Sequence, residues 1–154
     1  MKTLNIAITG FGNVGQHIAR LLWQRQAAYR ERYSTEKRKK GVCRSRSGLR
    51  CAQGLDAGEV LDTEFVPDLS GEAFLQGLQA DVLIDAGPSD FETGGMGLVY
   101  MRHALNTGMH VIAVSKGALA LHGPELLQTA TAHGVQVWAS GATAAALPTV
   151  DFVP

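Results

Sequence analysis

The residues Ile6-Ala7-Ile8-Thr9-Gly10-Phe11-Gly12-Asn13-Val14-Gly15 constrain this chain more than any others. A short apolar run breaks into a Gly-x-Gly-x-x-Gly turn, and the following residues, through Arg20-Leu21-Leu22-Trp23, carry helical spacing. Strand, glycine turn and helix in immediate succession open a βαβ unit. Each glycine has a physical task in such a turn. Gly10 allows the tight reversal, Gly12 lets backbone approach a pyrophosphate without a Cβ in the way, and Gly15 lets helix and strand pack closely. The helix N-terminus then presents free N–H groups to phosphate oxygens. The context predicts a dinucleotide site at Gly10, Phe11, Gly12, Asn13, Val14 and Gly15.

The rest of the chain repeats the alternation. Thr3–Thr9, Asp81–Ala86, His110–Ser115 and Val135–Ala139 read as strands. Helices are expected from the glycine turn to Tyr29 or beyond, over Met96–Thr107 with Gly108 as its stop, and from Pro124 through Ala132, closed by Gly134. Glu59-Val60-Leu61 and Glu72–Leu78 read as short helical pieces. This pattern predicts an α/β, Rossmann-like doubly wound, mostly parallel sheet with helices on both faces, in one domain over 1–154. The second strand is the weak place. Four cations, Lys37–Lys40, precede Gly41-Val42-Cys43 where an interior parallel strand calls for Val and Ile. That strand is expected to be very short or poorly formed, and Arg44–Gly58 to be loop. Ser34–Phe65 is therefore expected to bury little and to open first.

Composition bounds the function class. Of 154 residues, 45% are hydrophobic and 18% charged, the balance of an ordinary soluble domain, and no apolar run is long enough to span a bilayer. Met1-Lys2-Thr3-Leu4-Asn5 leads directly into a strand, which leaves no room for a signal peptide. The two cysteines, Cys43 and Cys51, have neither CxxC spacing nor a histidine partner, so no zinc site is expected and a reducing cytoplasm is. The five histidines, His17, His103, His110, His122 and His133, show no metal spacing either. The net charge of zero hides an asymmetry: 11 of the 14 Lys and Arg lie between Arg20 and Arg50. This basic stretch is expected to be a solvated helix end and loop, and not to bind nucleic acid.

In a doubly wound sheet, ligands lie across the C-terminal ends of the strands. The turns Cys43–Ser47, Ala86–Asp90 and Ser115–Gly117 therefore join the glycine loop as candidates. An acid at the end of the second strand favours NAD, whereas an arginine there accommodates a 2′-phosphate. Arg44-Ser45-Arg46 holds that place, so Arg44 and Arg46 favour NADP over NAD. Lys116, just past an apolar strand, is a candidate to bind a substrate carboxylate or to assist proton transfer at a reacting oxygen. Asp85 and Asp90 are expected to be loop anchors or caps.

Three segments taken together resemble the nucleotide-binding half of homoserine dehydrogenase. They are Gly10–Gly15, Asp85-Ala86-Gly87-Pro88-Ser89-Asp90-Phe91-Glu92-Thr93-Gly94, and Ala104-Leu105-Asn106-Thr107-Gly108-Met109-His110-Val111-Ile112-Ala113-Val114-Ser115-Lys116-Gly117-Ala118-Leu119-Ala120. Leu147-Pro148-Thr149 is similar to the family's turn near the nicotinamide. The resemblance implies NAD(P)-dependent interconversion of L-homoserine and L-aspartate 4-semialdehyde, on the way to threonine and methionine. It implies cofactor contacts from Gly10–Gly15, Gly87, Pro88, Ser89 and Ser115, and an active-site role for Lys116. It also implies a small-molecule substrate and allows a homo-oligomer. The sequence departs from the family at Ser140, where an acid precedes the small-residue run, and at Lys37–Lys40. It stops at Pro154, whereas the family continues into a substrate and dimerisation domain, so the chain alone is expected to be inactive. The alternatives are a non-catalytic NADP-binding module and the cofactor domain of a related enzyme such as aspartate dehydrogenase.

Overall fold

The computed structural model describes residues 1–55, 60 and 63–139. Within them the strands are β1 (Lys2–Thr9), β2 (Thr35–Cys43), β3 (Ser47–Leu55), β4 (Val66–Pro67), β5 (Val82–Asp85), β6 (His110–Ala113) and β7 (Val137–Trp138). The helices are α1 (Asn13–Gln24), α2 (Gln26–Tyr33), α3 (Gly71–Leu75), α4 (Gly95–Asn106) and α5 (Gly117–Ala132). The strands form one sheet in the order β4-β3-β2-β1-β5-β6-β7. β2, β1, β5, β6 and β7 are mutually parallel, β3 runs antiparallel to β2, and β4 antiparallel to β3.

Side-chain alternation along the strands divides the core into two layers. Ile6 and Ile8 of β1, Val42 of β2, and Val82 and Ile84 of β5 pack with Ala19 and with Ile18, Leu22 and Trp23 of α1. Ala7, Leu83, Val111 and Ala113 face the other way, onto Leu98, Met101, Ala104 and Leu105 of α4 and Leu126 and Ala130 of α5. Both faces of the sheet are covered, as the near-continuous apolar runs of β5 and β6 require. The expected α/β doubly wound architecture is the one observed.

The second strand departs from expectation. β2 is nine residues long and pairs with β1 from Lys2↔Thr35 to Thr9↔Cys43, with a bulge beside Lys40. Two of the four cations reach aromatic rings of the helix layer. Lys37 Nζ sits 2.9 Å from the Tyr29 ring centroid and Lys39 Nζ 4.4 Å from that of Trp23. Long aliphatic stems cover apolar surface, and the ammonium groups gain the ring quadrupole. Beside them, Arg30 and Arg38 both pair with Glu36. Arg44–Gly58 is likewise not all loop, since β3 runs from Ser47 to Leu55. It forms a hairpin with β2 through a tight turn, in which the Arg44 N–H donates to the Ser47 carbonyl over 2.7 Å.

One helix expectation holds and another shifts. The helix after the glycine turn reaches Tyr33 as two segments, α1 and α2, that meet at Arg25 (φ −94°, ψ 9°). The helix expected to open at Pro124 begins at Gly117 and bends at His122 (φ −128°). Proline has no N–H to donate and its ring crowds the preceding turn, so the ladder breaks just before it. Val60, the described residue of the piece expected at Glu59-Val60-Leu61, is helical and buried. Ser140, the small-residue run 141–146 and the turn Leu147-Pro148-Thr149 lie outside the described residues. No helix among the described residues is long and apolar enough to cross a membrane.

Candidate cofactor site

The chain leaves β1, returns on one side of it as β2, and later on the other side as β5. The crevice at such a reversal of strand order is where doubly wound sheets bind ligands. Gly10 lies there, with φ +73°, and a Cβ on it would fall 2.2 Å from the backbone nitrogen of Gly87. The glycine loop and the turn after β5 are thus in backbone contact, and only glycine fits. A Cβ on Gly15 would fall 2.5 Å from the Gly10 carbonyl oxygen, so this glycine brings α1 against the loop. The Phe11 N–H donates to the Cys43 carbonyl over 2.8 Å, which ties the loop to the end of β2.

Gly12 differs from its neighbours. Among the described residues, a Cβ on Gly12 would meet nothing within 4 Å. None of the described residues requires glycine there, so the space it leaves is turned outward. That space opens onto a cleft of about 500 Å³. Gly10 to Val14 and Gln16 form one wall, Ala86, Gly87 and Pro88 the second, and Arg44 and Ser45 the third. α1 begins at this cleft with no side-chain cap and no acid in its first turn. The N–H groups of its first turn have no intrahelical acceptor, and its macrodipole favours a negative group. Cleft, bare helix N-terminus and one arginine fit the pyrophosphate and ribose of a dinucleotide.

The turn after β6 adjoins the turn after β5. The Lys116 N–H donates to the Ser89 hydroxyl over 2.8 Å. A Cβ on Gly117 would fall 1.9 Å from the Asp90 carbonyl oxygen, so glycine is required for this close approach. Asp90 is the anchor expected of it. Its carboxylate accepts from the Thr93 and Glu92 N–H groups and the Thr93 hydroxyl, and these bonds hold its pKa below the ordinary value. The Lys116 side chain is exposed.

The structure sorts the expected site residues. Gly10, Phe11, Gly12, Asn13, Val14, Arg44, Gly87 and Pro88 come together on the cleft walls. Gly15 lies behind the loop, and Ser89 and Lys116 continue the site beyond the cleft along the strand ends. Arg46 shares the hairpin turn with Arg44 but is not on the cleft wall; its carbonyl accepts from the Asp68 N–H over 2.8 Å. Ser115 is buried, with its hydroxyl donating to the Asp85 carboxylate.

Sequence reasoning gave Asp85 too little. It is buried, and it also accepts from the Thr9 hydroxyl over 2.7 Å, while its carbonyl accepts from the N–H groups of Val114 and Ser115. One carboxylate thereby joins the ends of β1 and β6 beneath the cleft. The only sequence signal was an acid closing an otherwise apolar strand. Cys43 and Tyr100 extend this buried polar layer, with Sγ and Oη 3.5 Å apart. Burial pushes the Cys43 thiol up to about 11, against the opposing hydrogen bonds from Tyr100 and the Gly10 backbone.

A glycine loop at the strand-order reversal, closing on an uncapped helix, defines a Rossmann-type dinucleotide-binding domain. Within that class, the chain belongs to the homoserine dehydrogenase NAD-binding domain family, whose sequence profile matches residues 10–139. Homoserine dehydrogenase of Methanocaldococcus jannaschii is 25% identical over 97% of this chain and 47% of its own length. An NAD(+)-dependent homoserine dehydrogenase of Pseudomonas canavaninivorans is 25% identical over 97% of this chain and 46% of its own. The crystal structure of a putative homoserine dehydrogenase from Archaeoglobus fulgidus superposes with a TM-score of 0.74 and 28% identity, covering 91% of this chain and 42% of that one. The chain spans under half the length of the curated relatives it matches.

Proposed function

We propose that this chain is the cofactor-binding half of a cytoplasmic oxidoreductase that interconverts L-homoserine and L-aspartate 4-semialdehyde, in the synthesis of threonine and methionine. The observation that carries the cofactor reading is Gly12, a glycine that no contact among the described residues demands, facing the cleft at a bare helix N-terminus. Bound nicotinamide supplies or takes the hydride. The protein's part is to hold and orient. The loop N–H groups take the pyrophosphate, Gly87–Ser89 and Ser115 frame the nicotinamide end, and Lys116 orients the reacting oxygen and assists its proton.

The preferred cofactor in this reading is NADP. Arg44 stands at the end of β2, where an acid would bind the ribose hydroxyls of NAD, and its guanidinium matches a 2′-phosphate. One relative is named NAD(+)-dependent, while the fold is also that of a hyperthermophilic archaeal homoserine dehydrogenase in complex with NADPH. The test is titration of the chain with NADPH and NADH, followed by fluorescence and calorimetry. Tighter binding of NADPH, abolished in a folded Gly12→Val variant, is expected. Equal or reversed affinities remove the arginine argument, and binding that persists in Gly12→Val removes the phosphate site from this loop.

A further inference from the structure

We propose that Phe65 is the positioning residue for Arg44, and through it sets discrimination for a 2′-phosphorylated adenosine; this rests on the cofactor reading above. The Arg44 Cζ lies 4.1 Å from the centroid of the Phe65 ring. Phe65 in turn rests on Phe11, with centroids 5.9 Å apart and planes tilted by 30°. Phe11 is fully buried and belongs to the glycine loop. The three side chains form a column from the loop, beneath the cleft floor, to the cation on the cleft wall.

Phe65 is held in that column by backbone. It immediately precedes β4, whose pairing with β3 (Ser47↔Pro67, Gly48↔Val66) sets β4 beside the start of the hairpin's second strand. The Asp68 N–H donates to the Arg46 carbonyl over 2.8 Å, clamping the same turn from its far side. Phe65 is therefore delivered to the turn that carries Arg44 by a segment 21 residues further along the chain. An arginine on an exposed turn samples many rotamers, and ordering it on binding has an entropic cost. Stacking on an aromatic face removes much of that freedom beforehand and leaves the N–H edge free to fork onto a phosphate. Among the described residues the second arginine of the turn, Arg46, stacks on no ring and is not on the cleft wall, so discrimination falls to Arg44.

The test uses adenosine 2′,5′-bisphosphate and 5′-AMP as probes, titrated calorimetrically into the 154-residue chain. The quantity read is the ratio of the two affinities. Wild type is expected to favour the bisphosphate, and Arg44→Ala to lose about tenfold of that preference or more. Phe65→Met, which keeps volume but removes the ring, is expected to lose about three- to fivefold with 5′-AMP binding unchanged. Phe65→Tyr should restore the wild-type ratio, and Phe65→Met should add nothing in an Arg44→Ala background. Independently of any variant, ring-current shifts should move the Arg44 side-chain protons upfield in the NMR spectrum of the wild type. An unchanged ratio in Phe65→Met, or unshifted Arg44 protons, overturns the positioning role while leaving the cofactor site standing. Failure of wild type to bind either nucleotide, or NADPH, overturns the cofactor reading itself and this role with it.

Discussion

The Lys116 N–H donates to the Ser89 hydroxyl across 2.8 Å, joining the turn after β6 to the turn after β5. Beside that bond, Gly117 approaches the Asp90 carbonyl so closely that an added Cβ would lie 1.9 Å from its oxygen. Lys116 therefore stands on a joint between two strand ends, and its position is set by backbone contacts.

The two residues of this joint should respond differently to substitution. Ser89→Ala removes one exposed hydrogen bond and is expected to lower stability by no more than about 1 kcal/mol. Gly117→Ala forces the two turns apart and is expected to cost about 1–3 kcal/mol, as overpacking does. Urea denaturation of both variants checks this. An equal, small effect would mean that the turns separate easily and do not fix Lys116.

The glycine loop makes a sharper contrast. Gly12→Ala places its methyl in open space at φ −89°, and its stability should stay within about 0.5 kcal/mol of wild type. Gly15→Ala drives a methyl to 2.5 Å from the Gly10 carbonyl and should lose about 1–3 kcal/mol. Thermal melts separate the two. If Gly12→Ala proves the more destabilising, the space around Gly12 is structural, and the argument for a ligand there fails.

The sheet was legible where local pattern and burial agree. β1, β5 and β6 are apolar runs closed by turn residues, and each was found within about two residues. The glycine loop was legible because its spacing follows from the geometry it must build. β2 and β3 were not legible, because they are held by contacts that no window of sequence contains. Lys37 and Lys39 become strand residues only when Tyr29 and Trp23 lie beneath them. The Arg44 position was found from its place at a strand end, whereas Phe65 was invisible, since its approach depends on β4 pairing with β3.

That correction reverses the expectation of early opening between Ser34 and Phe65. β2 is hydrogen-bonded to β1 on one side and β3 on the other. Amides across Lys37–Val42 should exchange nearly as slowly as those of Val82–Asp85, while β4, paired among the described residues only at Ser47 and Gly48, exchanges fast. Hydrogen-exchange mass spectrometry reads this directly. Fast exchange throughout β2 would show that the aromatic packing does not hold the cations in place.

Cys43 gives a pH-dependent prediction with a definite sign. Its thiol ionises near 9.0 when exposed and near 11 in the folded protein, chiefly because burial disfavours the thiolate. Between those values the unfolded chain loses a proton that the folded chain keeps, so stability falls as pH rises. The loss should approach roughly 2–3 kcal/mol by pH 11. Tyr100, also raised by burial, acts in the same direction. Urea denaturation at several pH values should show this decline in wild type and a shallower one in Cys43→Ala. A thiol reagent at pH 8 should label the half-buried Cys51 and leave Cys43 untouched until unfolding. Prompt labelling of both would sink the buried-thiol account.

The last prediction concerns turnover. The 154-residue chain is expected to bind NADPH yet show no measurable oxidation of L-homoserine. Hydride transfer needs the alcohol carbon held against the nicotinamide, and much of the rate comes from that positioning. Lys116 offers one contact at the strand ends. The amino and carboxylate groups of homoserine need partners of their own, and three of the described acids around this joint are already engaged. Asp85 is buried under two hydroxyls, Asp90 caps the turn at Thr93, and Glu125 is held bidentately by Arg102. Fusing this chain to the remaining half of a relative such as the Methanocaldococcus jannaschii enzyme should bring turnover. Lys116→Ala in that fusion should then lower kcat by at least about a hundredfold with NADPH affinity nearly unchanged. Clear oxidation of homoserine by the chain alone would mean that the substrate groups lie within these residues, and would move the search for them to the neighbourhood of Lys116.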